Sequence, residues 1–154
     1  MSLEKKKFLS NYKKLLPQLL KQNLIADTET PFSSLMKIGK GEKYSFLLES
    51  VEGGSKKGRY SLLGCDPDLI WSVKNGKASI KYLNHNYNYK INNNPLKALR
   101  ELIKFSKFKN DNDSLPYPCL VGYLGYPMIK YMEDIKLNNK DNIKIPDATL
   151  IRPK

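Results

Sequence analysis

The stretch YSFLLESVEGGSKKGRYSLLG, residues 44–64, holds the residues whose types and spacing could bind a small polar molecule. Ser50 offers a hydroxyl and a strand-end backbone group, Ser61 offers a second hydroxyl from the next apolar run, and Leu48 adds an apolar surface. A few oriented polar groups in an apolar frame suit the ammonium group and apolar body of an amino acid. Glu49 stands between Leu48 and Ser50 near a strand end, where a carboxylate must face water or find a donor, because burying it unpaired is costly. Lys56, Lys57 or Arg59 across the bend could be that donor, in a strand-end salt link worth about 0–1 kcal/mol if exposed. An ordinary hairpin also contains such residues, so the residues alone leave both readings open.

No other group of residues forms a catalytic constellation. The single histidine, His85, lies in an asparagine-rich stretch with no Cys, Asp or Glu at metal-ligand spacing, and reads as a loop residue. GGSKKG lacks the order of a phosphate-binding P-loop, and GYLGYP lacks the third glycine of a dinucleotide fingerprint. The sequence therefore assigns no catalytic, cofactor-binding or metal residue to this chain. Cys65 and Cys119 are far apart and read as free thiols of a reducing compartment.

With 154 residues, 40% of them hydrophobic, the chain has the composition of one folded domain with a single core. Its net charge of +12 would favour an acidic partner, an anionic lipid or nucleic acid. The lysines, however, are scattered along the whole chain, and arginine, the better reader of bases and phosphates, occurs only at Arg59, Arg100 and Arg152. A solvated basic surface is the expectation, with a nucleic-acid-binding domain and a stand-alone amino-acid-binding regulatory module as rival readings. No run reaches the 18 or so apolar residues of a membrane span, and the start of the chain has no secretory h-region, so a cytoplasmic protein is expected.

The elements that must position Leu48, Glu49, Ser50 and Ser61 follow from periodicity. Phe8, Tyr12, Leu15, Leu16, Leu19 and Leu20 recur at helical spacing, interrupted by Pro17. Leu24–Asp27 reads as a short strand, and Thr30 with Pro31 starts a helix carrying Phe32, Leu35 and Met36, stopped by Gly39 and Gly41. Residues 44–50 alternate, with Tyr44, Phe46, Leu48 and Ser50 on one face and Ser45, Leu47 and Glu49 on the other. Strands over 59–64 and 69–74 follow, and Asn75-Gly76 turns the latter into a strand over 77–83. Asn94 and Pro95 open a helix whose apolar stripe is Leu96, Leu99, Leu102, Ile103 and Phe105. A strand over 119–126 and a short helix from Pro127 come next, and Ala148–Ile151 reads as a final strand with nothing after it to pair back. The fold class is α+β, a mainly antiparallel twisted sheet flanked by short helices, with an unpaired last strand that suggests an incomplete C-terminus.

Three of these stretches carry a resemblance. Residues 44–64 are similar to a signature near the start of anthranilate synthase component I, LVGYLGYPMIKYMEDI (120–135) resembles the second N-terminal motif of that family, and DTETPFSSLMK (27–37) resembles the strand and helix that precede the first. The likeness runs in family order from about Phe8 to the last residue and is shared by a close relative, aminodeoxychorismate synthase component I. It implies an enzyme that makes anthranilate and pyruvate from chorismate with glutamine-derived ammonia, with a glutamine amidotransferase subunit (component II) as partner. In that family chorismate and Mg2+ are held by a large C-terminal chorismate-binding domain that residues 1–154 would not contain, so this segment alone is expected to be inactive. The N-terminal part carries the feedback site for tryptophan. Its Leu-Leu-Glu-Ser motif, then ten residues, then Ser, matches Leu47, Leu48, Glu49, Ser50 and Ser61. By that match Ser50 contacts the ammonium group of the inhibitor, Glu49 supports it electrostatically, and Leu48 with Ser61 forms the wall. The glycines Gly53, Gly54 and Gly58 would fold the second run back so that Ser50 and Ser61 converge.

Overall fold

Asn75 and Gly76 have φ of 51° and 78°, the left-handed pair that a two-residue hairpin turn requires, and β3 (Leu69–Lys74) and β4 (Lys77–Tyr82) run out from it antiparallel. Apolar residues alternate along β3, and Leu69, Trp71 and Val73 are completely buried. In the computed structural model, which describes residues 3–14, 18, 20, 22–51, 57–83, 91–106, 120–137 and 144–153, this hairpin is one side of a four-stranded sheet. The order is β4-β3-β6-β5, with β5 spanning Val121–Leu124 and β6 spanning Ala148–Arg152, and every pairing is antiparallel.

Helix α3 (Pro95–Ser106) covers one face of that sheet. Asn94 caps it, its Oδ1 accepting from the Lys97 N–H at 3.1 Å, and Pro95 takes the first position, where a missing N–H costs nothing. Leu99 and Leu102 meet Leu69, Trp71, Val73 and Ala148, and a 3-10 helix over Tyr126–Tyr131 adds Met128. Full burial of each large side chain contributes about 1.5–3 kcal/mol. The expected α3 stripe is only partly the buried one. Leu96 and Ile103 are half-buried and Phe105 is 43% exposed, whereas Ala98 and Ser106 are buried. Ser106 is inside because its Oγ accepts from Arg152 Nη1 at 3.0 Å, while Arg152 Nε and Nη2 donate to the two carboxylate oxygens of Asp68 at 2.8 and 2.5 Å. One planar guanidinium thus ties the start of β3, the end of β6 and the end of α3. Arg152, one of the three arginines of the sequence, is committed to this clamp.

The last strand corrects the sequence reading. Ala148–Ile151 was expected as an unpaired edge, yet β6 lies inside the sheet, bonded to β3 on one side and β5 on the other. The strand that pairs with it on the other side, β5, precedes it in the sequence. Close approach is built in at Gly122, where φ is +153° and a Cβ would lie 2.1 Å from the Thr149 carbonyl oxygen. The short helix expected from Pro127 is the 3-10 helix, one residue earlier.

A second sheet has two strands, β1 (Phe46–Val51) and β2 (Lys57–Gly64), so the single sheet expected from sequence is two. Helix α2 (Pro31–Ile38) packs on this hairpin. It starts as the sequence indicates, with a reciprocal capping box: Ser33 N–H donates to Thr30 Oγ1 at 3.0 Å and Thr30 N–H donates to Ser33 Oγ at 2.9 Å. Ser33 Oγ in turn donates to Glu29 at 2.8 Å, and Lys37 forms an ion pair with the same carboxylate. These partners hold the Glu29 carboxyl below its ordinary value, Lys37 first and Ser33 second. Leu24–Asp27 is not a strand. Leu24 and Ile25 are 76% and 92% exposed, no strand lies beside them among the described residues, and Glu29 N–H closes a turn on the Ala26 carbonyl.

Helix α1 (Leu3–Lys13) stacks the Phe8 and Tyr12 rings 6.0 Å apart; Leu15, Leu16, Pro17 and Leu19 lie outside the described residues. So do His85 and Cys119, while Cys65 is a free thiol. Among the described residues no helix is long and apolar enough to cross a membrane.

Candidate functional site

The register of β1 and β2 decides which candidate residues share a face. Phe46 pairs with Gly64, Leu47 with Leu63, Leu48 with Leu62 and Glu49 with Ser61, and the next pair is Val51 with Lys57. Between the last two pairs β1 has only Ser50, whereas β2 has Gly58, Arg59 and Tyr60, so the extra length lies on β2 and Ser50 stands at the irregularity. Side chains directly opposite each other lie on one face of a sheet, and successive ones alternate. Glu49 and Ser61 therefore share a face with Leu47 and Leu63, while Ser50 belongs by alternation with Leu48 and Phe46 on the other.

The expected convergence of Ser50 and Ser61 is corrected accordingly. The hairpin does bring β2 back beside β1, but an even-numbered serine and an odd-numbered one fall on opposite faces when paired residue numbers keep one even sum. What the register brings together is Glu49 with Ser61, and Leu48 with Ser50 one alternation apart. All four are exposed, Leu48 by 52%, so no described element roofs this end of the hairpin. The residues of the bend, 52–56, and the side chains of Lys57 and Arg59 lie outside the described residues, and with them the donors expected for Glu49.

The base of the hairpin is closely packed. A Cβ on Gly64 would meet the Phe46 ring at 2.6 Å and the Pro153 side chain at 3.2 Å, so the ring lies over the glycine that faces it, with Pro153 close by. Sequence reasoning missed this seat because its signal, an aromatic opposite a glycine, exists only once the register is known. It also missed the ion pair of Lys130 with Asp147 at 3.6 Å and the row Ser79, Ser72, Thr149 and Tyr123 across the four-stranded sheet, where Ser72 and Ser79 Oγ are 2.9 Å apart. A cavity of about 390 Å3 opens elsewhere, at the β4 edge, lined by Lys77, Ala78, Ile91, Asn92 and Asn93. It shares no residue with the hairpin site, and its Asn92 is engaged by Glu101 and by the Asn94 N–H. Among the described residues no three Asp, Glu, His or Cys side chains gather as a metal site would need.

Comparison with known proteins places the chain. No protein-family model matches it. Anthranilate synthase component 1 of Cereibacter sphaeroides is 37% identical over 140 residues, 88% of this chain and 28% of that protein. The same component of Synechocystis sp. is 38% identical over 73% of the chain and 22% of its own length, and that of Aquifex aeolicus is 31% identical over 98% of the chain and 30% of its own length. The chain spans less than a third of each of these curated relatives. Over most of its length, then, this chain is similar to a stretch of anthranilate synthase component 1, the family whose motifs it resembles.

Proposed function

We propose that the chain is the N-terminal, effector-binding part of an anthranilate synthase component 1, and that the β1–β2 hairpin carries its tryptophan site. The observation that supports this most is the 31% identity to the Aquifex aeolicus component over 98% of the chain, which includes Leu48, Glu49, Ser50 and Ser61. In this reading the whole protein converts chorismate and ammonia, supplied by a glutamine amidotransferase subunit, into anthranilate and pyruvate in the cytoplasm. Chorismate and Mg2+ belong to the remainder of the protein, a C-terminal chorismate-binding domain, and residues 1–154 alone are inactive.

In this reading the labour at the site is divided between the two faces of the strand end. Leu48 and Ser50, one face of the strand end, contact the ligand: Leu48 supplies apolar surface, and the Ser50 hydroxyl accepts from the ammonium group. Glu49, on the opposite face, acts through space, and its attraction for a cation about 4 Å away is about 1 kcal/mol in water and rises when water is excluded. Ser61, its cross-strand partner, keeps β2 in register beneath that carboxylate. An open strand end of this kind gains affinity when another surface closes over it, and the remainder of the protein supplies that closure. Feedback is then a coupling between this site and the chorismate site, each biasing one shared conformational equilibrium.

Calorimetric titration of tryptophan into the whole protein and into its Ser50→Phe form tests the assignment. The reading requires binding by the wild type and a loss of about tenfold or more in the variant; equal affinity in both would remove Ser50 from the site. Identification of the aromatic product formed from chorismate and ammonia, anthranilate rather than aminodeoxychorismate, tests the activity.

A further inference from the structure

The hairpin that carries the proposed effector site meets the rest of the fold at a narrow base. Its extensive contacts among the described elements are with α2, which itself has no buried residue. Against the four-stranded sheet it rests through Gly64, where the Phe46 ring lies over the glycine and Pro153 stands within reach of the same point. Phe46 is two residues before Leu48 on the same face of β1, so a shift of the Leu48–Ser50 strand end moves that ring with it. Pro153 directly follows Arg152, the clamp that fixes the end of β6 to Asp68 and Ser106, and β6 is bonded on both sides within the sheet. The seat thus joins a strand pair with no fully buried side chain among the described residues, which is displaced at lower cost, to one of the most constrained strands of the molecule.

We propose that the Phe46–Gly64–Pro153 seat is the positioning junction through which occupancy of the Leu48–Ser50 strand end is passed to the four-stranded sheet. A side chain at 64 would displace the Phe46 ring, and the Pro153 side chain stands beside the same point. Phe46 touches no ligand in this arrangement; it sets where the hairpin stands. The inference rests on the feedback reading above and adds to it the route by which the signal leaves the site.

The test uses the whole protein in wild-type and Phe46→Leu forms, with Gly64→Ala as the second variant. Two quantities are measured for each: the tryptophan Kd by calorimetry and the tryptophan concentration that halves anthranilate formation. The expected result for Phe46→Leu is a Kd within about threefold of wild type and a half-inhibiting concentration raised about tenfold or more, because the site remains while its coupling is lost. Gly64→Ala, which displaces the ring rather than removing it, should split the two quantities in the same sense. If both rise in parallel, the seat merely supports the site, and if neither moves it carries no signal; either result overturns the proposal. A wild-type protein that binds tryptophan and is inhibited, with variants that behave identically, leaves the feedback reading standing and removes this one. A wild-type protein that neither binds nor responds removes both.

Discussion

The four-stranded sheet and the β1–β2 hairpin are both antiparallel and both have a helix packed against them, yet they differ in what they enclose. In the first, Leu69, Trp71, Val73 and Ala148 are fully buried beneath α3 and the 3-10 helix. In the second, none of the described side chains of β1, β2 or α2 is buried. An isolated two-stranded ribbon is marginal in water and this one leans on α2, whereas three or more strands with a covered face have a core of their own. The sheet is therefore the scaffold, and the hairpin is the less enclosed part. That is where the residues proposed to sense an effector lie.

Substitutions can break this contrast. The largest effect is expected for Trp71→Ala, which empties the centre of the sheet and should cost about 3–5 kcal/mol in chemical denaturation; a cost under about 1 kcal/mol would deny the sheet its role as scaffold. Gly122→Ala should come next, at about 1–3 kcal/mol, because the added carbon would lie 2.1 Å from the Thr149 carbonyl oxygen and β5 would have to separate from β6. A smaller and pH-dependent effect belongs to the hairpin side. Glu29 has a carboxyl value lowered by Lys37 and Ser33, so the stability it adds to the start of α2 is present above the ordinary glutamate range and is lost as pH falls through the lowered folded-state value. Hydrogen exchange of the α2 amides should accelerate through that acid range in the wild type and show no such step in Glu29→Gln. The smallest effect is expected for Leu48→Ala, within about 0.5 kcal/mol of wild-type stability, since that side chain is already half exposed.

The same contrast explains what could be read from the sequence. Asn75-Gly76, Thr30 with Pro31, and Asn94 with Pro95 announce a turn and two helix starts because each works through its own backbone neighbours, and β3 over 69–74 matches its alternation. Long-range pairing was not legible. The inner place of β6 depends on β5 arriving beside it, and Ser106 is buried for the sake of Arg152, 46 residues away. Leu24–Asp27 has the apolar character of a strand but pairs with no strand among the described residues. At the candidate site, sequence brought out Leu48, Glu49, Ser50 and Ser61, and it foresaw the hairpin. It did not foresee that Ser61 would stand opposite Glu49, because facing depends on a register that a single added residue would invert.

Hydrogen exchange with and without tryptophan, measured on the whole protein, addresses the central claim most directly. The account predicts that tryptophan slows exchange at the amides of Leu47, Leu48 and Leu62 in the hairpin and leaves Trp71 and Val73 in β3, already protected by the core, little changed. Unaltered exchange across β1 and β2 at saturating tryptophan, or protection confined to the four-stranded sheet, would contradict it.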